Sequence, residues 1–84
     1  MVKNMMLLRK SAVCERLGLP PTTLQERIND GLFPKPLKDG RNSNWPDYEV
    51  EKVQASIIRG EDDELRKELV VQLEADRKQF SLAG

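Results

Sequence analysis

The chain has 84 residues, 38% of them hydrophobic and 33% charged, and its 14 basic and 14 acidic side chains cancel. That size admits one small domain, which buries only roughly 60% of the surface its unfolded chain exposes, and no apolar run is long enough to cross a bilayer. A single cysteine and no histidine exclude an internal disulfide and leave a zinc site without its usual ligands.

Nothing else in the composition points to an enzyme or a cofactor. There is no glycine loop to cradle phosphate, and Cys14 falls in the apolar register of a helix, where it reads as a small core residue. The opening Met1 to Leu8 is too short for a signal sequence and has no cleavage site, so a cytoplasmic chain without a membrane segment is expected. Charge is unevenly placed along the chain. Residues 1 to 45 carry eight basic side chains against four acidic ones, a balance of +4, and the remainder carries −4. Such asymmetry is expected when one half approaches phosphate and the other faces water or a protein.

The run Met5 to Leu8 reads as a short strand or extended lead-in that covers the core, and Ser11 as the N-cap of a helix ending at Leu17. Two turns of helix are marginal alone in water, so this one depends on docking Val13 and Leu17 against its neighbour. Gly18 marks a tight turn, Pro20 and Pro21 open a second helix, and Gly31 closes it, which together form a helix-turn-helix pattern. Leu24 and Ile28 stand four apart and face inward. The opposite face carries Thr22, Glu26 and Asn29, flanked by Thr23, Gln25 and Arg27, side chains of a length and polarity that reach base edges in a major groove. An ordinary helical hairpin with a solvated polar face fits the same residues.

After Gly31, Pro34 and Pro36 forbid helix and favour an extended path with Phe33 as a core anchor. Leu37 and Lys38 lead through a turn of about five residues, Asp39 to Ser43, to Asn44 and Trp45. This is a small two-stranded hairpin. On a helix-turn-helix domain it would be a wing, with Lys38, Arg41 and Asn42 near its tip facing sugar-phosphate or a minor groove; otherwise it is a solvated loop. Trp45 is expected to close the core beneath it. Pro46, Asp47 and Glu49 start a third helix running to about Arg59, with Val50, Val53 and Ile57 packed inward and the acids near the positive end of the dipole. Gly60 ends it. A last helix of up to five turns follows the acidic Glu61 to Glu64, with a narrow stripe of Leu65, Leu69, Leu73 and Phe80. It can fold back on the domain, pair with a second copy or receive another protein.

The order of features from Leu8 to Val53 resembles the AlpA family of small phage and prophage regulators, part of the wider winged-helix group that includes MerR-type and excisionase domains. The resemblance is carried by Leu7-Leu8-Arg9, the turn Gly18-Leu19-Pro20, the helix Thr22-Thr23-Leu24-Gln25-Glu26 and the stretch Gly31-Leu32-Phe33-Pro34-Lys35-Pro36. It continues through the hairpin residues Leu37 to Arg41, then Trp45 and Glu49-Val50. It implies a mainly α fold with a small β-hairpin, a winged helix-turn-helix over residues 1–60, and a DNA-binding regulator or excision factor; the extra helix over 61–84 is read from its own residues, beyond the part that resembles the family. Two positions depart from the family pattern. Gln25 and Glu26 replace a Tyr-Arg pair, so an expected cation is missing and an acid stands on the recognition helix, either accepting from a cytosine amino group, turned to a protein partner or marking a weak binder.

The expected interface with double-stranded DNA places the helix from Pro21 to Asp30 in the major groove, presenting Thr22, Thr23, Gln25, Glu26 and Arg27, with Arg9, Lys10, Arg16, Lys38, Arg41 and Asn42 on the backbone side. One such unit is small, so selectivity would call for a homodimer, adjacent sites or a companion DNA-binding protein. The alternative is an interaction or assembly module, such as a small packaging-type subunit, that uses the C-terminal helix.

Overall fold

A computed structural model describes residues 6–79. Those residues are mainly helical, with four α-helices and a small three-stranded antiparallel sheet. In chain order they are β1 (Leu7–Arg9), α1 (Lys10–Leu17), α2 (Pro21–Asn29), β2 (Leu37–Asp39), β3 (Asn42–Pro46), α3 (Asp47–Arg59) and α4 (Asp63–Asp76), followed by one 3-10 turn at Arg77–Gln79.

The sheet runs β1-β3-β2, so the central strand is the one that carries Trp45. β1 is a true strand, with Leu8 opposite Trp45 and Arg9 opposite Asn44. Alternation along it turns Leu8 toward the core and leaves Met6 and Leu7 exposed, so only part of the apolar run covers the core. Pro46 ends β3 with no N–H to offer, and the ladder passes to Asp47, whose N–H donates to the Met6 carbonyl at 2.8 Å.

The hairpin turn is tighter than its sequence suggests. Asp39 pairs with Asn42, leaving Gly40 and Arg41 as a two-residue loop instead of about five. Gly40 takes φ 64 and Arg41 does not go positive, the pattern of a II′ turn, whose twist matches that of the flanking strands. Asn42 and Ser43 are therefore strand residues.

Helix α1 follows the strand without a break. Arg9 stays extended, at φ −80 and ψ 166, and makes no side-chain cap. Ser11 is thus inside the helix and does not cap it, because the pairing of Arg9 with Asn44 fixes the strand up to the residue before Lys10. At the other end Gly18 adopts the left-handed conformation that reverses the chain, and the Leu19 N–H closes on the Cys14 carbonyl at 3.0 Å. Pro21 then sits at the first position of α2, where a missing N–H does no harm.

The core gathers Val13 and Cys14 from α1, Leu24 and Ile28 from α2, then Phe33, Trp45, Val50 and Val53, with Leu8, Leu17 and Leu69 against its edge. Phe33 and Trp45 meet edge to face, with centroids 5.8 Å apart. The indole N–H donates to the Pro34 carbonyl at 2.8 Å, which satisfies the polar atom that burial of Trp45 would otherwise strand.

Leu73 of α4 belongs to this same core and is 2% exposed, so α4 folds back on the preceding elements. Its inward face differs from the leucine stripe. Leu65 is 49% exposed, while Val70 is buried beside Leu73 and Leu69 is half-buried. Phe80 lies outside the described residues. α3 is turned likewise: Ile57 is 37% exposed and Ser56 is buried in its place. The physical cause is polar, since Arg66 of α4 donates from Nε to Ser56 Oγ at 3.2 Å and from its guanidinium to the Glu61 carbonyl at 3.0 Å. Asp62 caps α4 by accepting from the Leu65 N–H at 2.9 Å.

Candidate functional site

Burying Leu24 and Ile28 fixes which side of α2 meets water. Thr22, Gln25, Glu26 and Asn29 are exposed on one face, with Thr23 and Arg27 half-buried at its flanks. Gln25 Nε2 donates to Asn29 Oδ1 at 3.1 Å, one turn apart, so Asn29 joins the face and the two amides hold each other. The i,i+4 spacing of Gln25 and Asn29 is the sequence signal for that pairing.

The hairpin forms a second group. Lys38, Arg41 and Asn42 are exposed, Arg41 within the turn and the others on its two strands. Lys38 Nζ donates across the ladder to Ser43 Oγ at 3.0 Å, which holds the ammonium over the strand pair while leaving it solvated. Arg9 lies exposed at the end of β1, on the sheet's other edge, and Lys10 is half-buried at the start of α1.

Arg16 does not join either group. Its guanidinium donates to Gln54 Oε1 of α3 at 3.4 Å, and Gln54 Nε2 donates back to the Arg16 carbonyl at 3.2 Å. These contacts tie α1 to α3.

A third constellation joins α3, the linker between α2 and β2, and the C-terminal end of α4. Glu49 of α3 is fully buried and accepts two hydrogen bonds from Arg77, from Nε to Oε2 at 2.8 Å and from the guanidinium to Oε1 at 2.7 Å. The same guanidinium donates to the Lys35 carbonyl at 2.7 Å, and Glu74 accepts from the Lys35 N–H at 2.8 Å. Both backbone groups of Lys35 are therefore held by the end of α4, which sets the path of the chain from α2 into the hairpin. The hydrogen bond from Arg77 to the Glu49 carboxylate raises the guanidinium pKa against the opposing effect of burial, so Arg77 stays charged. Burial is the first cause that lifts the Tyr48 hydroxyl above its usual value, followed by the Glu49 charge.

From the sequence, Glu49 reads as a dipole acid at the start of α3 and Arg77 has no assigned role. The overlooked signal is that Glu49 falls on the inward stripe of α3 with Val50, Val53 and Ser56, where a carboxylate requires a cation. Among the described residues no group of three or more acidic or cysteine side chains is gathered to hold a metal ion, and Asp62 is engaged as a helix cap. No helix among them is long and apolar enough to cross a membrane.

Neither protein-family models, nor curated proteins, nor solved structures offer a match to this chain.

Proposed function

We propose that the chain is a sequence-selective binder of double-stranded DNA, a winged helix-turn-helix protein of the AlpA-like type acting as a transcriptional regulator or excision factor in the cytoplasm. In this reading α1 and α2 are the helix-turn-helix, α2 enters the major groove, and β2 with β3 forms the wing. The observation that carries it is the exposed polar face of α2, whose Thr22, Gln25, Glu26 and Asn29 are covered by nothing else among the described residues. The exposed Lys38 and Arg41 of a short, well-formed hairpin support it, since phosphate contacts supply most of the affinity and base contacts the selectivity. Arg16 is left out of the interface, being engaged with Gln54. A homodimer or a companion DNA-binding protein would supply the selectivity one small unit lacks.

The inward burial of Leu73 and Val70 commits one face of α4 to the core, which favours this reading over a module whose whole C-terminal helix is given to a partner. The same burial rules out truncation after residue 60 as a clean test, because it would open the core and leave Glu49 without Arg77. Point variants in the full chain serve instead. In a salt-titrated gel shift on duplex recovered from a random pool, Arg27→Ala and Arg41→Ala should each weaken binding and reduce the salt slope by about one. Unchanged affinity and slope in both variants, with helicity retained, would overturn the proposal.

A further inference from the structure

If α2 does lie in a major groove, its chemistry is unusual for that position. Its exposed face holds one hydroxyl, Thr22, two amides, Gln25 and Asn29, and a single formal charge, the Glu26 carboxylate. That carboxylate has no hydrogen-bond or ion-pair partner among the described residues. No Lys or Arg stands three or four positions away to neutralise it, and the residue one turn on is the exposed Asp30.

An ionised carboxylate can only accept hydrogen bonds. The major-groove edges offer two kinds of amino donor, on cytosine and on adenine. At an A·T pair the adenine amino group lies between two acceptors, its own N7 and the thymine O4, and both repel a carboxylate. The cytosine amino group has an acceptor on one side, guanine O6, and a carbon-bound hydrogen on the other. Electrostatics therefore favours cytosine. The mutual hold of Gln25 and Asn29 restrains the side chains beside Glu26, so less freedom is lost when the face meets a base pair.

We propose, resting on the DNA-binding reading above, that Glu26 determines specificity by accepting from the exocyclic amino group of one cytosine in the target site. Everywhere else on DNA the unpaired acid opposes binding, so Glu26 acts as much by rejecting wrong sites as by holding the right one.

The test is a random-duplex selection with the full chain and with Glu26→Ala, followed by binding to the recovered site with the cytosine replaced by N4-methylcytosine, whose methyl group occupies the groove-facing position. The native chain should fix one C·G pair, and Glu26→Ala should lose about tenfold discrimination there while binding random duplex more tightly than the native chain does. The methylated base should weaken the native chain by a similar factor and leave the variant unaffected. Retention of the same preference by Glu26→Ala, or indifference of the native chain to the methyl group, overturns this assignment and leaves DNA binding standing. Failure of both proteins to enrich any duplex overturns the proposed function and this assignment together.

Discussion

Polar groups meet opposite fates on the exposed face of α2 and where the end of α4 meets the linker into the hairpin. On the α4 side, polar groups are saturated by one another: Glu49 accepts twice from Arg77, Arg77 also serves the Lys35 carbonyl, and Glu74 serves its N–H. On the α2 side, Thr22 and Glu26 face water, and Gln25 and Asn29 bind only each other. Both regions are rich in polar residues, and composition does not separate them. What separates them is whether the groups have been desolvated. A buried charge must be fully partnered to persist, whereas an exposed one keeps its hydrogen-bonding capacity for something outside the chain. The first region holds the fold together; the second keeps the free hydrogen-bonding capacity that the proposed DNA contact calls for.

The sharpest way to break this distinction is to remove one member from each side. Arg77→Ala leaves Glu49 buried without its cation and should destabilise the chain by about 3–5 kcal/mol, a large share of the stability of a small domain. Gln25→Ala removes a solvent-facing pair and should stay within about 0.5 kcal/mol. Denaturant midpoints of the two variants measure the contrast, and similar midpoints would mean that the clamp is not structural. The double variant Glu49→Leu with Arg77→Leu should recover part of the loss, because no unpaired charge remains.

Why one region was legible in the sequence and the other was not follows from the range of the interactions. Gly18, Pro21 and the Leu24/Ile28 spacing are local signals, and they place α1, its turn and α2 with the correct inward face. Phe33 and Trp45 were recognisable as core by size and setting. The hairpin turn is blurred in the sequence because four of the five residues from Asp39 to Ser43 are turn-forming types, and only the strand register singles out Gly40 and Arg41. The inner face of α4 was missed because the stripe was sought among leucines, while the helix is oriented in part by Arg66 and Arg77 reaching Ser56 and Glu49. Those partners are 10 and 28 positions away, beyond any periodicity. The contact of Arg16 with Gln54 is equally hidden from the sequence, the two lying 38 positions apart.

An intermediate effect is expected where α4 begins. Asp62→Ala removes the acceptor for the Leu65 N–H and should cost about 1 kcal/mol, which in a domain of this size lowers Tm by roughly 4–8 °C. A shift no larger than that of Gln25→Ala would show that the α4 start is held by packing instead of by its cap.

The smallest effect should come from the junction of α3 and α4, where Arg59 Nε donates to Glu61 Oε2 at 3.1 Å. That hydrogen bond is the first cause of a Glu61 pKa below its ordinary value of 4.5. Because the folded value is depressed, the contribution is present above the ordinary value and fades as pH falls through the folded one. Melts of the native chain and of Arg59→Ala should therefore differ slightly at pH 6 and converge by about pH 3, even as both lose stability through their other carboxylates. The pair is solvent-exposed and screened, so 1 M salt should erase the difference at pH 6 as well, whereas the loss in Arg77→Ala, which arises in a desolvated site, should survive it.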